Sequence, residues 1–119
     1  MQFKFKQQNP EPSKRKEECE KVLKKYPDRI PIIIEKDPKN QIKEIDKTKF
    51  LVPNDLSVQQ LIFIIRKRLE LSKESSLFIL VNGKTSVTGE TGLKEIYELH
   101  KDKEDGYLYI VYTSELTWG

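Results

Sequence analysis

Cysteine and histidine are nearly absent from this sequence, and long apolar runs are lacking. One cysteine and one histidine occur among 119 residues, which excludes an intrachain disulfide and a metal site built from several cysteines, and suits a reducing compartment. No apolar run approaches the roughly 18 residues of a membrane-spanning helix. The start, MQFKFKQQNPEPSKRK, lacks the apolar centre of a signal peptide. A cytoplasmic location is therefore expected.

A strong excess of charge of one sign is also missing. The 22 Lys and Arg residues are nearly balanced by 19 Asp and Glu residues, which leaves a net charge of +3. This positive charge is too small to require nucleic acid as a partner. His100 is the only histidine and is interpreted as structural. Cys19 falls on an apolar helix stripe, where nothing nearby in the sequence would lower its pKa and make it a nucleophile. The sequence contains no acid–base constellation, so neither an enzyme nor a cofactor is expected.

The most informative part of the sequence is the stretch 47–69, which predicts a strand, a turn and a helix. The strand covers Thr48 to Val52, and the turn runs through residues 53–55. Ser57 followed three residues later by Gln60 is typical of a capping box at a helix start. One core-facing stripe of the helix is then formed by Val58, Leu61, Ile62, Ile65 and Leu69.

One flank of this helix carries more apolar residues than the stripe needs. Ile64 falls beside Leu61, with Arg68 between them in projection, whereas Phe63 falls on the opposite side without an assigned partner. The pattern is open to two interpretations. The flank either widens the core stripe or forms a groove next to the preceding strand.

The other segments predict an α+β fold of the β-grasp type. Their predicted elements are a helix from Ser13 to about Lys25, strands at Arg29 to Lys36, Leu77 to Val81 and Tyr107 to Tyr112, and a short helix from Leu93 to His100. The strand at 29–36 is apolar on both faces, which is typical of a central strand, although Pro31 removes one hydrogen-bond donor. The first and last strands would lie parallel at the centre of a four-stranded mixed sheet, with the long helix across one face.

Several segments of the chain together form a recognisable pattern. These segments are KKYPDRIPIIIEK, DKTKFLVPNDLSVQQLIFIIRKRL, LFILVN and KDKEDGYLYIVY, together with the terminal aromatic-Gly pair. They closely resemble the autophagy ubiquitin-like modifiers, the family of the GABA-receptor-associated protein and the microtubule-associated light chain. The resemblance implies a ubiquitin-like β-grasp with two additional N-terminal helices. It divides a single domain into a helical extension (1–28), a ubiquitin-like core (29–112) and a conjugation tail (113–119).

The resemblance also implies positions for the functional residues. A pocket for the aromatic residue of a peptide motif maps to Glu18, Val22, Pro31, Lys49, Leu51 and Tyr107. A pocket for its aliphatic residue maps to Phe50, Val52, Pro53, Leu56, Leu61 and Ile64. Acidic residues beside the motif would meet Arg29, Lys47 and Arg68, and lipid would be joined to Gly119. No residue is implied to be catalytic or to bind a metal.

The function implied is that of a modifier joined through Gly119 to phosphatidylethanolamine, which would take it from the cytoplasm to the autophagosome membrane. Its expected partners are activating and conjugating enzymes, a processing and deconjugating cysteine protease, and cargo receptors with aromatic-x-x-aliphatic motifs. Nucleic acid is not among them. Two other classes remain open: an unconjugated ubiquitin-fold interaction or trafficking adaptor domain, and a small RNA-binding domain. The RNA-binding class requires salt-sensitive binding and aromatic side chains in a basic groove.

The sequence departs from the family pattern at four places. An extra residue occurs near Pro12 and Ser13, and the segment Gly83 to Gly92 lacks the usual Pro-Pro-Thr. The loop before Gly106 is one residue longer, and Trp118 stands where Phe or Tyr is commoner. These differences affect partners that would touch the far end of the sheet, and leave the two pockets unchanged.

Overall fold

A five-stranded mixed sheet forms the centre of the protein. The structure is a computed structural model and describes residues 2–115. Its elements are α1 (Lys4–Gln8), α2 (Pro12–Lys25), β1 (Arg29–Lys36), β2 (Lys49–Pro53), α3 (Val58–Leu69), β3 (Phe78–Val81), β4 (Thr85–Ser86), α4 (Leu93–His100) and β5 (Leu108–Thr113). The strand order is β2-β1-β5-β3-β4. β1 and β5 run parallel at the centre, and the other pairs are antiparallel.

The predicted β-grasp arrangement is confirmed, but the prediction of four strands is wrong. The additional strand, β4, pairs Thr85 with Val81 and Ser86 with Leu80. It follows a tight turn in which Asn82 and Gly83 both have positive φ angles, of 57° and 74°, as a type I′ hairpin requires. Two exposed residues are too few to show the alternation by which a strand is recognised in a sequence.

The two faces of the sheet carry separate apolar clusters. On one face, Ile30, Ile32 and Ile34 of β1 pack with the buried side chains of α3 and α4. On the other face, Ile33 packs with Phe3, Phe5, Cys19, Tyr107, Tyr109 and Val111. The alternation along β1 explains why this strand is apolar on both sides, because each face is covered by helices.

Helix α3 has the predicted start, including the capping box between Ser57 and Gln60. Of its predicted stripe, Val58, Leu61, Ile65 and Leu69 are buried, whereas Ile62 is only partly buried. The first two helical N–H groups donate to carbonyl oxygens of a neighbouring loop, Val58 to Thr91 at 2.9 Å and Gln59 to Gly89 at 3.0 Å. The unusual segment 83–92 therefore accepts hydrogen bonds from two N–H groups at the start of α3 that the capping box does not satisfy.

Several predicted element boundaries shift by one or two residues. Helix α2 begins at Pro12 and not after Ser13, since proline is well suited to the first helical position. β2 runs from Lys49 to Pro53, β3 begins at Phe78, and β5 runs from Leu108 to Thr113. Asp28 O accepts from Asn54 N just beyond the last pair of β1 and β2, which accounts for the extension of β2.

Side chains of the sheet and its loops hold α1 and α2 in place. The Glu35 carboxylate accepts from the backbone N–H groups of Lys4 at 2.8 Å and Phe5 at 2.9 Å. Arg15 of α2 forms a buried ion pair with Asp105, with Nε and Oδ2 2.8 Å apart. None of the helices within residues 2–115 is long and apolar enough to cross a membrane.

Candidate functional site

Strand β2 lies at one edge of the sheet, with β1 as its neighbour on the inner side. Within the described part of the chain, no strand pairs with its outer side. Such an edge presents a row of backbone donors and acceptors that can pair with an extended peptide. The groups on either side of β2 therefore decide which peptide would fit.

The side chains of β2 alternate between the two faces of the sheet. Phe50 and Val52 belong to the cluster beneath α3, so Lys49 and Leu51 point to the opposite face, where α2 lies. The register agrees with this, because Phe50 pairs with Ile32 and Leu51 with Pro31. The edge consequently has an apolar surface on each side.

Contacts bring together most of the residues predicted for the aromatic pocket. Lys49 Nζ of β2 forms an ion pair with Glu18 Oε1 of α2. The Tyr107 hydroxyl has a raised pKa, first because of burial and then because of the nearby Glu18 carboxylate. Pro31 is buried opposite Leu51, and Val22 lies one helical turn after Glu18 and is half-buried. All six positions thus lie on the α2 side of the edge.

Phe5 is a residue of this surface that was not predicted. Its ring packs edge-on against Tyr107 at a centroid distance of 5.4 Å, and Lys49 Nζ lies 5.9 Å from its centroid. The only signal in the sequence is a pair of phenylalanines, Phe3 and Phe5, among Lys and Gln residues before a Pro-rich break. Nothing in that pattern predicts that α1 folds back onto the sheet.

Five of the six positions predicted for the aliphatic pocket lie on the α3 side of the edge, whereas Pro53 alternates with Val52, and the six differ in exposure. Phe50, Val52 and Leu61 are buried, Leu56 and Ile64 are half-buried, and Pro53 is exposed. Leu61 is completely buried, so it can form only the floor of a pocket. Leu56 packs against the core cluster, whereas Ile64 is not among the side chains packed there. Its partly exposed apolar surface favours a groove over a wider core stripe.

The three predicted acid-binding cations have different surroundings. Arg68 Nε is 2.8 Å from Asp46 Oδ1, in an exposed ion pair. Arg68 and Lys47 also lie over the Phe50 ring, at 5.6 and 5.3 Å from its centroid. Arg29 stacks on Tyr26 at 5.5 Å and makes no ion pair with any of residues 2–115. It is therefore an available partner for an acidic group.

Other features of the described residues give no indication of catalytic chemistry. Burial, together with the Asp105 carboxylate, raises the pKa of the Cys19 thiol to about 12, so little of the nucleophilic thiolate forms near neutral pH. Within residues 2–115, no group of three or more His, Cys, Asp or Glu side chains could hold a metal ion.

An open cleft of about 440 Å³ lies between α1 and the start of β2. Its lining includes Lys47 and Lys49, which also belong to the predicted peptide site.

The fold and the exposed strand edge define a ubiquitin-like protein with two helices added at its N-terminus. The family model described as "Autophagy protein Atg8 ubiquitin like" matches residues 14–119, and the chain belongs to this family of autophagy ubiquitin-like proteins. The resemblance seen in the sequence is thereby confirmed.

Individual relatives match most or all of the chain. Autophagy-related protein 8 of Neosartorya fischeri is 50% identical over 119 residues, which cover 100% of this chain and 98% of that protein. Autophagy-related protein 8e of Arabidopsis thaliana is 50% identical over 106 residues, covering 89% and 85%. The crystal structure of Trypanosoma brucei ATG8 superimposes with a TM-score of 0.90 at 39% identity, covering 100% of both chains. Gly119 and Trp118 lie outside the described residues.

Proposed function

We propose that this autophagy ubiquitin-like protein is a modifier that becomes joined through Gly119 to phosphatidylethanolamine and binds partners along β2. The observation that carries the binding role is the edge strand with an apolar surface on each side. Membership of the Atg8 family supports the conjugation role. The residue division that we propose is a helical extension (1–28), a core (29–112) and a conjugation tail (113–119).

A peptide bound at β2 would be aligned by the backbone and selected by the side chains. An extended segment that pairs with the outer side of β2 directs alternate side chains to opposite faces. Its aromatic residue would enter the α2 side, between Glu18 and Leu51, and its aliphatic residue would enter the α3 side, near Ile64. Acidic residues beside the motif would meet Arg29, Lys47 and Arg68. The proposed partners are therefore cargo receptors and adaptors that contain an aromatic-x-x-aliphatic motif.

In the conjugation reaction, this protein would be the substrate and other proteins the catalysts. The Gly119 carboxylate attacks the α-phosphate of ATP and releases pyrophosphate, which gives an acyl adenylate. A cysteine thiolate of the activating enzyme displaces AMP to form a thioester, which passes to a cysteine of the conjugating enzyme. The ethanolamine amine then displaces that thiol and forms an amide. Glycine suits this position because it has no side chain to crowd the reacting carbon.

The lipid product explains the proposed change of location, from the cytoplasm to the autophagosome membrane. Phosphatidylethanolamine brings two acyl chains, and each buried CH₂ contributes about 0.8 kcal/mol to membrane binding. A single chain gives only marginal attachment, whereas two chains hold a protein stably. A cysteine protease that cleaves at Gly119 would both process a precursor and reverse the attachment.

Reconstitution with and without Gly119 tests the conjugation role. The intact protein, mixed with ATP, activating and conjugating enzymes and vesicles containing phosphatidylethanolamine, should give a reducible thioester and then a lipidated product. Deletion of Gly119 should abolish both products, while the urea midpoint and peptide binding stay unchanged because residues 2–115 are unaltered. If the shortened protein is still lipidated, or the intact protein never is, the unconjugated adaptor domain is the better description.

A further inference from the structure

The connection between β1 and β2 is fastened to the end of β5. Asp37 N donates to Tyr112 O at 2.9 Å. The Tyr112 hydroxyl donates to Lys43 O at 2.8 Å and accepts from Ile45 N at 2.7 Å. Both the beginning and the middle of this connection (residues 37–48) are therefore tied to Tyr112, near the end of β5. The residues between them lie beside the point where the tail leaves the sheet.

Among residues 2–115, Asn40 of this connection contacts Ser114, the first residue after β5. Its Oδ1 atom accepts from Ser114 N at 3.2 Å and from Ser114 Oγ at 3.0 Å. The same oxygen accepts from Ile42 N at 3.1 Å. Asn40 and Ser114 are both half-buried, so water competes only partly for these hydrogen bonds. All three contacts use the oxygen of the Asn40 side chain.

Asn40 supplies an acceptor that β1 cannot provide. The last parallel pair joins Lys36 of β1 to Tyr112 of β5, and β1 ends there. Alternate residues of a strand direct their N–H groups to the same neighbour, so Ser114, two residues after Tyr112, would continue the ladder if β1 were longer. The Asn40 side chain takes the place of the missing backbone carbonyl.

The neighbouring residues hold Asn40 in position for this contact. Asn40 N donates to Asp37 O at 3.0 Å. Lys36 Nζ donates both to Asn40 O at 2.6 Å and to Asp37 O at 2.9 Å. Because the backbone on either side is fastened, the side-chain oxygen needs little further ordering to meet Ser114.

We propose that Asn40 is a positioning residue for conjugation, which fixes Ser114 and so sets the point from which the tail presents Gly119 to its activating enzyme. The inference rests on the proposed function. Gly119 is the fifth residue after Ser114, a reach of at most roughly 18 Å. With so short a tail, a fixed starting point places the carboxylate within reach of one region of a partner. A loosened starting point spreads the same carboxylate over more positions, which weakens productive binding.

Two variants and a control test this role. Asn40→Ala removes the acceptor, Asn40→Asp keeps an acceptor oxygen, and Gln41→Ala changes an exposed neighbour. Asn40→Ala should speed amide hydrogen exchange at Ser114 by about tenfold or more, because one protecting hydrogen bond is lost.

The kinetics of conjugation provide the second readout. Asn40→Ala should raise KM for thioester formation roughly three- to tenfold, the effect of about one net hydrogen bond. The kcat and the affinity for a motif peptide should not change. Asn40→Asp and Gln41→Ala should each have the KM of the wild-type protein.

The two readouts separate the inference from the function on which it rests. Unchanged exchange at Ser114 in Asn40→Ala, or faster exchange with unchanged KM, overturns the positioning role. If the wild-type protein forms no thioester at all, the proposed function fails, and the exchange data then report the Asn40 contact by itself. Ser114→Ala, which loses only the Oγ contact, provides a second variant if Asn40→Ala unfolds, and it should raise KM roughly two- to threefold.

Discussion

Ile32 of β1 and Ile65 of α3 belong to the same core cluster, and neither has any exposed surface. Replacing either residue by alanine leaves a cavity that the surrounding side chains fill only partly. The free energy of unfolding should fall by roughly 2–5 kcal/mol in each variant, measured by urea denaturation. Phe63 of the same helix is 59% exposed, so Phe63→Ala provides the control and should cost much less. A loss below about 0.5 kcal/mol at both isoleucines would contradict the core assignment.

Gly106 occupies a backbone conformation that other residues avoid. Its φ angle is +84°, and a Cβ atom added there would lie 3.3 Å from the buried Cys19 Sγ. Gly106→Ala should therefore lower the free energy of unfolding by about 1–3 kcal/mol. Gly92→Ala is the matched control, since Gly92 has a φ angle of −74° and nothing within 4 Å of an added Cβ. Equal urea midpoints for the two variants would show that the backbone at Gly106 tolerates a side chain.

Strand β2 is the element on which the binding proposal depends. A peptide with an aromatic residue and, three positions later, Leu, Ile or Val should bind with micromolar affinity, or about −8 kcal/mol. Leu51→Ala and Phe50→Ala should each weaken binding at least tenfold in calorimetry, because they alter opposite sides of the edge. Charge reversal at Arg29 or Lys47 should cost less and depend on salt, since exposed charges are screened.

The matched control for this measurement is the same peptide with alanine at both anchor positions. It retains every backbone hydrogen bond that β2 can offer and loses only the two side chains. Equal affinity of the two peptides would show that the apolar surfaces beside β2 do not select their ligand.

The elements that were predicted correctly are those whose sequence pattern matches their burial. β1 and α3 have regular apolar spacing and meet a core on the corresponding faces, so periodicity was enough to place them. Helix α1 has only five residues and depends on Glu35, which lies 30 residues away in the sequence. Periodicity reports local structure and carries no information on such a partner. Phe5 was missed at the candidate site for the same reason, whereas the site residues of β2 were implied by the family resemblance and not by periodicity.

The molecule as a whole should lose stability in alkaline solution. Burial raises the pKa values of Cys19, Tyr97 and Tyr112 to about 12, from ordinary values of 9.0 for the thiol and 10.0 for the phenols. Each folded-state proton is thus held more tightly than in the unfolded chain. The resulting stability is complete below about pH 9 and is lost progressively as the pH rises towards 12. Urea unfolding between pH 8 and 11 should show this decline.

A variant isolates the contribution of one of these three groups, Tyr97, from that of the other two. The Tyr97 hydroxyl donates to Gly106 O at 2.9 Å, and Tyr97→Phe removes both the hydrogen bond and the ionisation. The wild-type protein should be the more stable at pH 8, and its advantage should shrink as the pH rises above 10. A constant difference across the range would refute the contribution of Tyr97.

The ion pair between Glu18 and Lys49 joins the N-terminal helices to the strand edge at the place where a ligand would bind. In the proposed complex, an acidic peptide group that approached Lys49 would compete with Glu18, so peptide binding at the edge and the attachment of α2 would be thermodynamically coupled. Such coupling is reciprocal. A protein that binds α2 would change the affinity for the peptide by some factor, and the peptide would change the affinity for that protein by the same factor. A partner bound to the N-terminal helices would thus change the affinity of the β2 edge for its ligand. Two partners bound at separate places would influence each other's affinity through the Glu18–Lys49 pair.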